Sequence, residues 1–221
     1  LLKDRDEMLD FLWDDDNALC DVWHYLYPYV YRKHDLIVSD KIELSKEIII
    51  SKDDDKMGRY RILREPTYAF FSLETIDRMI INHIDYGALW LREAKMYKLI
   101  KRYEKHFSKM YVDEANEYFD KMVKRMTEKG YGKKYKSYFS YCIQQLYLNA
   151  YNSYHILKEF LFSLLYTQLL MTFDLVDYLD RGEEIADIDR QAEILMLCEK
   201  SIRHNPDQTD NLLRVIRRDF L

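Results

Sequence analysis

The sequence predicts a mainly α protein: a helical bundle with long central helices and one small β-hairpin near residues 36–64. Three observations carry that prediction. Apolar residues recur every three or four positions over most of the chain. Glycine and proline, the residues that interrupt helices, number only 5 and 3 in 221 positions. One stretch, between Asp35 and Pro66, changes to short runs that are β-branched or alternate in polarity. With 48% hydrophobic and 33% charged residues the chain has globular composition and no signature of disorder. Its length suits one well-buried domain spanning 1–221, read as an acidic N-terminal helix (1–34), a β-hairpin insertion (35–66) and a helical core (67–221).

The first helix is expected from Leu9, Leu12, Trp13, Leu19, Cys20 and Trp23, spaced on one face with acids between them and a bend around Asp14 to Asp16. Pro28 is expected to stop or kink it. The hairpin follows: "DLIVSDKIELSKEIIIS" and "GRYRILRE" read as its strands and "KDDDKMG" as its loop. Beyond Pro66 the pattern is helical throughout. Ile76, Met79, Ile80, His83, Ile84, Leu91 and Leu99 mark a helix from about 73 to 106. A second helix, about 113 to 129, has acids in its first turn and lysines near its end, and stops at Gly130 and Gly132.

A tyrosine-rich helix then runs from about Lys133 towards Asp180, with Gly182 as its stop. Unbroken, it would be about 70 Å long at 1.5 Å per residue, so a bend is expected. Its longest mostly apolar stretch, 159–173, is interrupted by Ser163, Thr167 and Gln168 and is shorter than the roughly 20 residues of a bilayer span. It reads as a core helix, and no membrane association is expected. Two helices close the chain, one from about Asp187 to Arg203 and one opening at Asn205 and Pro206.

Charge is distributed unevenly around a net −5. Residues 1–26 hold eight acids against two bases, 92–136 fourteen bases against seven acids, and 174–221 twelve acids against seven bases. Acidic ends folding back on a basic centre satisfy this pattern within the chain; a partner-facing basic patch is the sharper alternative. Cys20, Cys142 and Cys198 are odd in number and far apart, which predicts reduced thiols and a cytoplasmic location, or a virion if the chain is phage-encoded. Abundant Lys, Ile, Tyr, Asp and Met, residues with AT-rich codons, point to a low-GC bacterium, its phage or another mobile element.

The chemical motifs searched for are absent. No His has a Glu three residues before it, as a di-iron bundle requires, and there is no HExxH or paired CxxC, so no metal is expected. No GxxxxGK[ST], GxGxxG or GxSxG occurs, so no cofactor is expected either. "RMIINH", Arg78 to His83, resembles the R-x4-6-H motif of HEPN-type ribonucleases, helical proteins that cut RNA at a shared dimer cleft. That resemblance implies arginine stabilising the phosphorane and histidine transferring the proton. It makes Arg78 and His83 the alternative catalytic pair.

Two binding surfaces are candidates. Lys98, Lys101, Arg102 and Lys105 share a helix face, and Lys133 and Lys134 follow near Tyr131 and Tyr135; bases among aromatics suit nucleic acid or an acidic protein. On a helical wheel Tyr135, Phe139, Cys142, Leu146, Ala150, Leu157, Phe160, Leu161 and Leu164 form a core face, and Tyr147, Tyr151 and Tyr154 an adjacent shoulder. With no credible catalytic site, the leading expectation is a non-catalytic helical interaction or assembly protein: a virion connector-like subunit, an inhibitor or an immunity protein. Its partner would be another protein or a second copy of itself, and nucleic acid binding through 92–136 is a further alternative.

Overall fold

The computed structural model describes residues 1–17, 19–51, 93–153, 155–204, 210 and 213. Among them the secondary structure is helical. The elements are α1 (Leu2–Trp13), α2 (Leu19–Val38), α3 (Ile42–Ser45), α4 (Glu93–Phe107), α5 (Val112–Glu128), α6 (Lys134–Leu146), a 3-10 turn (Tyr147–Asn149), α7 (Ala150–Ser153), α8 (Ile156–Asp180), α9 (Ile188–Cys198) and a π turn (Glu199–Arg203). They pack as two compact units, Leu1–Phe70 with Lys134–Thr167 and Phe71–Lys133 with Gln168–Leu221.

The mainly α class is as predicted, but the hairpin is not: among the described residues there is no strand. The first expected strand is instead the end of α2, a turn and α3. Leu36, Ile37 and Val38 continue α2, so the β-branched preference of Ile37 and Val38 does not decide their conformation. The helix ends at Val38 and the chain turns at Asp40, whose φ of 58° is left-handed. Lys41 N donates to Leu36 O at 2.7 Å and Asp40 N to Ile37 O at 3.1 Å, which closes the turn. The second expected strand, "GRYRILRE", lies outside the described residues.

Pro28 lies inside α2 and does not end it. An interior proline costs a helix about 3 kcal/mol. Against that, Val22, Trp23, Leu26, Tyr27, Tyr29 and Val30 are all buried, and each contributes roughly 1.5–3 kcal/mol. Burial wins. Trp23 meets Phe139 edge-on at 6.0 Å, and Phe139 meets Phe160 likewise at 6.0 Å, forming an aromatic column through the first unit. The expected bend near Asp14 is a turn between two separate helices: Asn17 N donates to Asp14 O, and the Asn17 side chain to Phe11 O at 2.8 Å.

In the second unit α4 and α5 are amphipathic. Met96, Leu99, Ile100, Tyr103 and Phe107 are buried on α4, with Tyr103 stacked on Phe107 at 4.8 Å. Ala115, Phe119, Met122 and Met126 are buried on α5. α5 stops where expected: Gly130 has φ 83°, Tyr131 N donates to Met126 O and Gly130 N to Thr127 O. α9 starts where expected too, the Asp187 carboxylate accepting from Arg190 N at 2.9 Å.

The tyrosine-rich segment breaks more fully than a bend. α6 passes through a 3-10 turn into α7, and α8 starts afresh at Ile156. The 25 residues of α8 are long and apolar enough to cross a membrane by length and composition, with a window of mean hydropathy 1.3. Every residue of that window is buried in the protein, as in a core helix. Its serine and threonine hydroxyls are satisfied internally: Ser163, Thr167 and Thr172 each donate to the carbonyl four residues earlier, at 3.0, 2.9 and 2.8 Å. Cys142 and Cys198 are buried and form no disulfide.

Candidate functional site

In the second unit the basic face of α4 meets acids supplied by the C-terminal part of the chain. Asp180, at the end of α8, receives Arg102 Nε at 3.2 Å, His106 Nε2 at 2.7 Å and Lys105 Nζ at 3.6 Å. Lys101 pairs with Glu104 one turn along its own helix. Lys95 reaches Glu193 on α9 at 2.5 Å, and Arg190 joins Asp177 at 2.7 Å to Glu193 at 2.6 Å. Hydrogen bonds from Lys95 and Arg190 hold the Glu193 carboxyl below the usual carboxylate range.

The α5 bases turn the same way. Arg125 donates to the Glu183 carbonyl and lies over the Tyr178 ring, and Lys129 Nζ reaches Ile185 O at 3.4 Å. Lys95, Lys101, Arg102 and Lys105 are therefore paired with acids of their own chain. Lys98 and Lys133 are exposed, and Lys134 lies over the Tyr135 ring. Of the six basic candidates, Lys134 belongs to the first unit and the other five to the second.

The tyrosine shoulder also divides. Tyr147, in the 3-10 turn, is fully buried, and its hydroxyl has no partner among the described residues. Tyr151, on α7, is exposed. Tyr154, Arg78 and His83 lie outside the described residues. The wheel placed Tyr147 and Tyr151 together because it assumed a continuous helix; the 3-10 turn rotates them apart.

What the sequence reasoning missed is a part-buried polar cluster in the first unit. α1 presents Asp4 and Glu7 one turn apart, and α2 presents Tyr29 and Lys33 one turn apart. Lys33 Nζ binds Asp4 Oδ1 at 2.6 Å and stands 4.8 Å from the centre of the Tyr29 ring. The Tyr29 hydroxyl donates to Glu7 Oε2 at 2.7 Å. Burial, the Glu7 bond and the nearby acids push the Tyr29 phenol far above its ordinary range, and burial beside Asp4 and Glu7 does the same to Tyr147. Burial acts to raise Asp4, but the bond and charge of Lys33 oppose it and the carboxyl ends below its usual value. A lysine four residues after a tyrosine carries no motif, so only the packing of α1 on α2 reveals the group.

Asp4 and Lys33 lie at the wall of a pocket of about 510 Å³ lined also by the aliphatic Ile37, Ile42, Ala150 and Ile156, by Tyr151, and by Lys3 and Lys46. That volume lies in the range of small-molecule sites, about 300–1,000 Å³. Among the described residues no group of three His, Cys, Asp or Glu side chains gathers in a way that would hold a metal ion. Compared with protein families, with curated proteins and with solved structures, the chain has no match.

Proposed function

We propose that this protein is a non-catalytic helical interaction or assembly protein whose contact surface lies on the first unit, around the end of α2, α3 and α7. One observation carries the reading: Val38, Ile42, Leu44, Ile49 and Tyr151 are between 48% and 75% exposed. Four of these large apolar side chains fall within twelve residues of chain. Single exposed apolar residues are ordinary, but such gatherings favour a protein contact. The partner is a second copy of this chain or another protein, and a phage or mobile-element source fits the composition.

The basic centre favours this reading over nucleic-acid binding, because Arg102, Lys105 and His106 already share Asp180. The ribonuclease alternative rests on the Arg78 and His83 motif alone. Light scattering after size exclusion, over a range of concentrations, tests the proposal. Self-association is expected, and Leu44→Asp with Ile49→Asp should weaken it at least about tenfold. A strict monomer that also leaves its natural partner bound after both changes overturns it. RNA cleaved by the wild type and spared by Arg78→Ala and His83→Ala would replace it with the nuclease.

A further inference from the structure

We propose that the pocket of the first unit binds a small molecule made of one carboxylate on an apolar body, with the carboxylate seated on the Lys33 ammonium. The inference shares Ile42 and Tyr151 with the protein-contact reading but turns on Lys33, Ile37 and Ile156, which that reading does not use.

The argument starts from unfilled donors. Lys33 is only 2% exposed, and an ammonium carries three N–H groups. One goes to Asp4 and the ring of Tyr29 lies nearby, but no other hydrogen-bond acceptor among the described residues takes the rest. Burying a charge is costly unless its hydrogen-bonding capacity is met. Lys33 lines the pocket, so an acceptor placed there supplies what the protein does not.

The chemistry of the walls sets the class of ligand. Ile37, Ile42, Ala150 and Ile156 ask for a hydrocarbon or aromatic body. A cationic head would face the Lys33 ammonium, with Lys3 and Lys46 also on the lining. A wholly apolar molecule would leave the Lys33 donors as they are. A carboxylate accepts from the ammonium at the strength of a charge-assisted bond and shares Lys33 with Asp4.

The test compares three probes with the same tail, octanoate, 1-octanol and octylammonium, by isothermal titration on the full chain. Octanoate is expected to bind one per chain and at least about tenfold more tightly than octanol, with octylammonium weakest. Lys33→Met should abolish the preference for octanoate over octanol. Should that variant fail to fold, Asp4→Asn serves instead: it removes the carboxylate that competes for Lys33, so octanoate should bind more tightly than to the wild type. Equal binding of octanoate and octanol, no saturable binding of octanoate, or an undiminished preference in folded Lys33→Met each overturn the proposal. So does weaker octanoate binding in Asp4→Asn.

Discussion

The two units use charge in opposite ways. In the first, a few polar groups are drawn largely out of water where α1 meets α2: Lys33 binds Asp4, and Tyr29 donates to Glu7. In the second, many charges stay at the surface and share partners, three bases on Asp180 and two on Glu193. The energetic consequences differ. Removing one member of a buried pair strands the other in a low-dielectric site and costs roughly 3–5 kcal/mol, whereas an exposed pair is worth about 0–1 kcal/mol. The densest charge pattern in the sequence is therefore not where the charges matter most for stability.

The contrast is most sharply tested at Asp4. Asp4→Ala should destabilise the protein by about 3 kcal/mol, measured by urea denaturation, because Lys33 is left buried without its counter-ion. Asp4→Leu combined with Lys33→Met should recover most of that loss. If Asp4→Ala costs no more than an exposed pair, the first unit is not electrostatically distinct from the second.

A smaller effect is expected from pH, again in the first unit. The rings of His34 and His155 lie 5.4 Å apart, and His34 Nδ1 is buried without a partner among the described residues. Burial and the neighbouring His155 lower the His34 pKa from 6.5, with Asp35 acting weakly the other way. The folded state thus binds a proton less readily than the unfolded one. The stability this group contributes is complete above pH 6.5 and is lost as pH falls through its lower folded value. Melting temperature should decline below about pH 6.5, and His34→Gln should flatten that decline. The Asp4 carboxyl, also lowered, adds its own loss only below its ordinary 3.8.

In the second unit Asp180→Asn should cost only about 1 kcal/mol or less. It should nonetheless change binding. With Arg102, Lys105 and His106 released from a common carboxylate, the variant should bind single-stranded RNA more tightly than the wild type, by fluorescence anisotropy, with a steep salt dependence. Equal binding would mean that Asp180 is not what masks the basic face. The smallest expectation is for Lys98→Ala, an exposed base on α4, which should shift stability by less than about 0.5 kcal/mol.

Legibility in the sequence followed the range of the interactions. The stop at Gly130 and the start at Asp187 were visible because each is made within five residues, by a left-handed glycine and by a capping carboxylate. The hairpin was misread because Ile37 and Val38 prefer strands in isolation, while in the protein they continue α2. Of the stop or kink expected at Pro28, the stop does not occur: its local cost is plain in the sequence, and the burial that exceeds it is not. The break after Leu146 has no proline or glycine to announce it, and it is what separates Tyr147 from Tyr151.

By itself the sequence determined the helical class, several helix ends and the presence of an acidic and a basic part, because periodicity, caps and composition are local properties. Only the tertiary structure decided which acid meets which base. His106 finds Asp180 across 74 positions, Lys95 finds Glu193 across 98, and Lys33 finds Asp4 across 29. Such pairs depend on where the packed apolar faces bring distant turns together, and no local pattern encodes that choice.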